Sequence, residues 1–297
     1  MVDEALVART PDEIRALSYE WRAAGKTVGL VPTMGALHEG HLSLVRKARS
    51  ECGKVIVSVF VNPTQFGAGE DFDTYPRNLE NDRELLSEAG CDAIFAPGVA
   101  EMYGEGSTDL SSGERTFVEA GRLGDVFEGK DRPGHFRGVA TVVAMLMGAA
   151  VPHRAYFGEK DFQQLKVIGR MARELHMGVE IVGCPTVRES DGLAMSSRNA
   201  NLGSEEREAA TVLHRSLEAG AKLAADGEKD VSTILRRMRG VLDGEPLVEP
   251  KYVAVVDAET LEALESLGER SARILIAARV GSVRLIDNIA LPFVRSE

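Results

Sequence analysis

Strand, helix and strand follow one another so closely near the amino end that few folds can accept them. Thr27-Val28-Gly29-Leu30-Val31-Pro32 reads as a short buried strand, and Val55-Ile56-Val57-Ser58-Val59-Phe60-Val61 as another. Between them, His38 to Glu51 sets Leu42, Val45 and Ala48 at helical spacing, with basic residues on the opposite face. A helix that carries the chain back between two adjacent strands makes them parallel, with a right-handed crossover. The alternation continues through a helix over Asn81–Gly90, a strand over Cys91–Ala96, a buried helix over Gly138–Ala150, a strand over Arg154–Phe157, a helix over Gln163–His176 and a strand over Val179–Val182. The predicted class is α/β: a doubly wound, parallel, Rossmann-like sheet that binds ligands beyond the carboxyl ends of its strands.

The character changes after Pro185. Residues 204–242 are rich in Ala and Glu and read as helical, and short alternating strands follow at Tyr252–Val256, Ile274–Ala278 and Val283–Ile286. This predicts a smaller α+β domain with an antiparallel sheet. A length of 297 residues is also more than one core usually serves. The expected division is 1–185 and 186–297, with no internal repeat and no low-complexity linker.

Hydrophobic residues make up 44% and charged residues 27%, an ordinary globular balance. A formal net charge of -11 repels a phosphate backbone, so nucleic acid is not the expected partner. It does not exclude a nucleotide, which a few local cations and backbone N–H groups can hold. Cys52, Cys91 and Cys184 are too scattered for a disulfide framework or a zinc site. Met1 to Thr10 has no apolar signal core, and the longest apolar run, Val139–Ala150, falls short of the roughly 18 residues a membrane span needs. The expectation is a cytoplasmic protein with no membrane partner.

Four segments carry chemistry. Pro32-Thr33-Met34-Gly35-Ala36-Leu37-His38-Glu39-Gly40-His41 sits where the first strand turns into the first helix. Gly35 permits a tight turn, and Gly40 allows close approach to the helix. His38 and His41 are three apart, hence on one helical face, at the end that favours an anion. Two imidazoles there can donate to phosphate oxygens; the plainer alternative is a pair of surface histidines. A metal reading lacks an acidic third ligand at a recognisable spacing. Asn62-Pro63-Thr64-Gln65 follows the second strand and offers neutral amides for hydroxyls and a carboxylate, or else a polar turn. Glu70 to Arg77 reads as a mobile lid or a solvated acidic loop.

The third segment, Phe157-Gly158-Glu159-Lys160-Asp161-Phe162-Gln163-Gln164, is another strand-to-helix junction. Lys160 can reach a phosphate as a point charge, Gly158 clears space, and Asp161 can accept from ribose hydroxyls. A helix start with an acid in its first turn explains Glu159 and Asp161 but not the lysine. The fourth, Val187-Arg188-Glu189-Ser190-Asp191-Gly192-Leu193-Ala194-Met195-Ser196-Ser197-Arg198, ends in two hydroxyls and a guanidinium, a phosphate clamp where the two domains meet in sequence.

In this order and at these intervals, the four segments resemble the pantothenate synthetase (pantoate–β-alanine ligase) family of the nucleotidyltransferase superfamily, from Pro32 to Asp287-Asn288-Ile289. The resemblance implies an ATP-dependent ligase that makes pantothenate through a pantoyl adenylate, releasing AMP and pyrophosphate. It implies ATP contacts from Met34 through His41, with His41 as proton donor, and from Gly158, Glu159, Lys160, Asp161, Val187, Met195, Ser196, Ser197 and Arg198. His38, His41, Lys160 and Arg198 would act on the reacting phosphates. Gln65 and Gln164 would bind pantoate, with Gln65 also close to β-alanine. Residues 1–185 would hold ATP and pantoate, and 186–297 would form a lid. Mg2+ would bridge the phosphates mainly through their own oxygens and water, with Asp82 as an outer ligand, and the chain would be a homodimer.

Met145 stands where the family more often has lysine, which puts in doubt an ion pair of that helix, and Phe72 replaces a common leucine. Among rivals, a cytidylyltransferase would share the histidine motif but lack the Gln65 and Gln164 pair. A class I tRNA synthetase would need a basic RNA-binding domain. A nucleotide sensor would have no use for His41 and Arg198.

Overall fold

A computed structural model describes residues 4–67, 69–70, 72–104 and 116–292. Residue 71 of the predicted acidic loop, and the extreme ends of the two predicted domains, lie outside the described residues. The chain divides into two compact units, one of residues 1–159 and 163–185, the other of 160–162 and 186–297.

In the first unit the elements run β1 (Leu6–Ala8), α1 (Pro11–Ala23), β2 (Val28–Thr33), α2 (Glu39–Glu51), β3 (Lys54–Val59), α3 (Leu79–Glu88), β4 (Ala93–Phe95), α4 (Val99–Tyr103), α5 (Glu128–Asp131), α6 (His135–Ala150), β5 (Arg154–Gly158), α7 (Phe162–Glu174) and β6 (Glu180–Cys184). The first residue of α7 belongs to the second unit. The described residues form one parallel six-stranded sheet in the order β1-β4-β3-β2-β5-β6. Val31, Val55, Val57 and Ile94 are fully buried, as strands covered on both faces must be.

From β2 the chain winds one way through β3 and β4, then returns to β2's other side for β5 and β6. The point of reversal therefore lies between β2 and β5. Among the described residues these two strands pair with each other only at Gly29↔Arg154 and Leu30↔Ala155, then run on to Thr33 and Gly158 paired only to their outer neighbours β3 and β6. The sheet splits open at its carboxyl edge, where doubly wound folds bind ligands.

Four elements escape the sequence reading: the edge strand β1 and helices α1, α4 and α5. β1 is three residues long, too short to show alternation. α1 did leave a signal in Thr10-Pro11-Asp12-Glu13. Thr10 is the N-cap, Pro11 opens the helix, and Glu13 and Thr10 close a capping box with both bonds at 3.2 Å.

The second unit contains α8 (Ser204–Ala209), α9 (Val212–Ala225), α10 (Val231–Leu242), β7 (Val248–Asp257), β8 (Ala272–Val280) and β9 (Val283–Ala290). Its strands form an antiparallel sheet in the order β7-β8-β9. Leu213, Leu217, Ile234 and Met238 from the helices meet Ile274, Ile276 and Val255 of the sheet in one core. Pro250, which cannot donate to a ladder, stands on edge strand β7 beside a register shift. Among the described residues no helix is long and apolar enough to cross a membrane.

Candidate active site

The loop after β2 is a strained turn clamped from behind. Gly35 has φ +86°, and a Cβ there would stand 2.9 Å from Asp82 Oδ2. Ala36 is held at φ +51°, a conformation alanine seldom adopts unless its surroundings impose it. Asp82 imposes it. From the first turn of α3, its Oδ1 accepts from the Leu37 N–H at 2.9 Å and its Oδ2 from the Ala36 N–H at 3.2 Å. Burial pushes the Asp82 carboxyl upward, partly countered by these two N–H bonds. Asp82, expected as an outer magnesium ligand, thus spends one lone pair of each oxygen on the main chain.

His38 also differs from expectation. It is the N-cap of α2, in extended conformation, rather than a residue of the helical face. Its Nδ1 accepts from the Gly40 N–H at 3.1 Å, and His41 Nδ1 accepts from the His38 N–H at 3.4 Å. The two rings lie 4.1 Å apart, tilted by 36°. With each Nδ1 used as an acceptor, the neutral rings carry their proton on Nε2. Both are half-buried at the positive end of the helix dipole. Glu39 turns its carboxylate to Arg46.

Gln65 ends a short 3-10 turn, Pro63–Gln65, after β3. Its Oε1 accepts from Asn62 Nδ2 at 3.1 Å, and its Nε2 reaches the Met34 sulfur at 3.1 Å. Asn62 is itself buried and fixed by Tyr103, whose hydroxyl donates to Asn62 Oδ1 at 2.6 Å. α6 presses on the turn so closely that a Cβ at Gly138 would lie 2.3 Å from the Thr64 carbonyl oxygen. His135 Nδ1 donates to the Gln65 carbonyl at 2.8 Å, while Arg132 donates to His135 Nε2 at 3.1 Å and forms a bidentate pair with Glu70 at 2.7 and 2.6 Å. Burial, reinforced by the Arg132 charge, pushes His135 down to about 4. This support network was missed in the sequence, because the partners are distant from one another along the chain.

Gly158 ends β5, and a Cβ there would meet nothing within 4 Å, so its surroundings are open. Glu159 follows in a 3-10 turn. On α7 two adjacent glutamines have different fates. Gln163 is buried, donating to the carbonyls of Leu123 and Val126 at 2.7 Å each and accepting from the Glu128 N–H at 3.1 Å. Gln164 is half-buried and takes no part in that anchor.

In the second unit Lys160 Nζ lies 3.6 Å from Asp161 Oδ1. Val187 and Met195 close a narrow two-stranded loop, with the Met195 N–H donating to the Val187 carbonyl at 3.0 Å. Ser196 caps the 3-10 turn Ser197–Asn201, its Oγ accepting from the Arg198 N–H at 3.3 Å. The Ser196 hydroxyl is thus an acceptor within the turn, leaving its proton as the donor. Ser197 and Arg198 are half-buried. Among the described residues no group of three or more His, Cys, Asp or Glu is placed to hold a metal ion.

Residues 6–290 match the model of the pantoate–β-alanine ligase family. The chain belongs to that family. It is 68% identical to a pantothenate synthetase of Rubrobacter xylanophilus, over 97% of this chain and 99% of the relative. The crystal structure of the pantothenate synthetase of Thermus thermophilus superposes with a TM-score of 0.88 at 49% identity, over 97% of this chain and 100% of that one. The pantoate–β-alanine ligase of Francisella tularensis, solved with β-γ ATP and β-alanine, superposes with a TM-score of 0.77 at 32% identity, over 96% of this chain and 97% of that one. Against these structures the fold is the family's: a parallel Rossmann-like sheet and a smaller antiparallel domain.

Proposed function

We propose that this chain condenses pantoate with β-alanine in two half-reactions. A pantoate carboxylate oxygen attacks the α-phosphorus of ATP, the bond to the bridging oxygen breaks, and pyrophosphate leaves. The unprotonated amine of β-alanine then attacks the acyl carbon, AMP departs with the oxygen that pantoate had supplied, and the new amide nitrogen loses a proton.

Residues 34 through 41, 158 through 161, Val187 and 195 through 198 bind the nucleotide. His41, with His38 beside it, donates to the phosphate oxygens as charge moves onto the leaving group, and Lys160 and Arg198 neutralise that charge. Gln65 and Gln164 hold pantoate through neutral amides, and Gln65 borders β-alanine. Residues 1–185 carry the ATP and pantoate contacts, and 186–297 act as the lid. Mg2+ enters with ATP as part of the substrate, held mainly by phosphate oxygens and water, with Asp82 as an outer ligand. The enzyme works as a cytoplasmic homodimer, a reading supported by the family resemblance.

One observation carries this mechanism: two adjoining, tilted imidazoles at the head of α2, each with Nδ1 accepting a main-chain N–H. That arrangement turns Nε2 of both rings into preorganised donors beside the open carboxyl edge of the sheet. The testing experiment is pantoate-dependent pyrophosphate release from ATP, in the parent and in His41→Ala. The variant should lose roughly 10²–10⁴ in single-turnover rate, as when an acid–base or oxyanion donor is removed. Release that needs CTP and an alcohol phosphate instead would point to cytidylyl transfer.

A further inference from the structure

Lys160–Phe162 lies in sequence between β5 and the body of α7, both parts of the first unit, yet it groups with the second. Contacts within the second unit hold it there. Asn288 Nδ2 donates to the Lys160 carbonyl at 2.8 Å, and the Arg273 guanidinium stacks on the Phe162 ring, 4.0 Å from its centroid. Asn288 is 5% exposed on β9, and its neighbour Asp287 is 4% exposed. Asp287 forms a bidentate pair with Arg188 at 2.6 and 2.9 Å, and the same guanidinium donates to the Asn288 carbonyl at 3.4 Å. Arg188 also donates to the Gly192 carbonyl at 3.0 Å, tying in the narrow loop that leads to Ser196 and Arg198.

A buried asparagine needs acceptors for its amide protons, and here one acceptor is the main chain of the lysine. An ammonium on a four-carbon stem can be placed no better than the backbone that carries it. We propose that Asn288, through its bond to the Lys160 carbonyl, is a positioning residue for the Lys160 ammonium, and that the Arg188–Asp287 pair fixes Asn288. The lysine is then anchored by β9, not by the strand it follows in sequence. The inference rests on the phosphate role assigned to Lys160 above.

A double-mutant cycle tests it, with single-turnover pyrophosphate release and Tm measured for the parent, Lys160→Ala, Asn288→Ala and the double variant. Asn288→Ala should slow adenylation by roughly 10- to 100-fold, the scale of a misplaced catalytic group. In the Lys160→Ala background the same change should cost less than about twofold, within ordinary additivity. Asn288→Ser keeps a hydroxyl donor and should recover part of the loss; it also carries the cycle should the alanine variant melt early. Equal costs in both backgrounds would overturn the positioning role while leaving Lys160 in place. A Lys160→Ala enzyme as fast as the parent would overturn the reading of Lys160, and this inference with it.

Discussion

The Leu37 N–H donates to Asp82 Oδ1 at 2.9 Å across 45 residues of sequence, and Ala36 donates to the other oxygen of the same carboxylate. One buried acid thus holds the turn that presents His38 and His41. Asp82→Ala would strand two N–H groups and release a main chain held at φ +51°. It should lower stability by about 1–3 kcal/mol and raise KM for ATP. Thermal melts and ATP titration read both, and a variant matching the parent in each would remove Asp82 from the site's support.

The adjacent glutamines of α7 should separate cleanly. Gln163→Ala removes three hydrogen bonds of a buried side chain at once, to the Leu123 and Val126 carbonyls and the Glu128 N–H, so Tm should fall by several degrees, as for a loss of about 1–3 kcal/mol in a chain of this size. Gln164→Ala should leave Tm nearly unchanged and weaken pantoate more than ATP, as should Gln65→Ala. Calorimetric titration decides. Equal losses for both ligands would show that the pantoate site is wrongly assigned.

Much of this was legible in the sequence. The βαβ alternation predicted the parallel sheet because buried strands and amphipathic helices leave opposite periodicities. The motifs were found because each follows a strand. What stayed hidden was long-range pairing: Asp82 behind Leu37, Arg132 and His135 behind Gln65, and Asn288 against Lys160. Side chains that serve a distant main chain leave no local pattern. His38 was misplaced for another reason, since an N-cap is one residue outside the periodicity that revealed the helix. Met145 is half-buried on α6, and nothing in the structure explains it in place of a lysine.

Gly138, itself no proposed ligand contact, offers a test of the packing behind Gln65. A Cβ there would meet the Thr64 oxygen at 2.3 Å and the Gln65 nitrogen at 2.7 Å. Gly138→Ala must therefore push the 3-10 turn aside. Stability should drop by about 1–3 kcal/mol and KM for pantoate should rise, whereas Gly148→Ala on the same helix, where a Cβ meets nothing within 4 Å, should do neither. Similar behaviour of the two variants would count against the tight seat.

His135 predicts a pH dependence of stability. Its folded pKa, about 4, lies below its ordinary 6.5, so between these values the unfolded chain binds a proton that the folded chain refuses. Stability should therefore fall as pH drops from about 6.5 to about 4, by up to about 3 kcal/mol from this group alone. Glu70 acts lower. Burial pushes its carboxyl up, but the Arg132 pair outweighs that and holds it below its usual 4.5. His135→Asn should flatten the slope of Tm against pH over the upper window relative to the parent. Identical slopes would contradict the assignment.

The central claim is that pantoate attacks the α-phosphorus of ATP, and the fate of one oxygen tests it most directly. Pantoate carrying 18O in its carboxylate would be turned over with ATP, Mg2+ and β-alanine, and the products read by mass spectrometry. The account predicts one pantoate-derived 18O in AMP and none in pyrophosphate, because the acyl carbon–oxygen bond breaks only when the amine displaces AMP. Label in inorganic phosphate instead, or AMP free of label, would mean that the carboxylate is activated at another phosphorus or not as an adenylate at all.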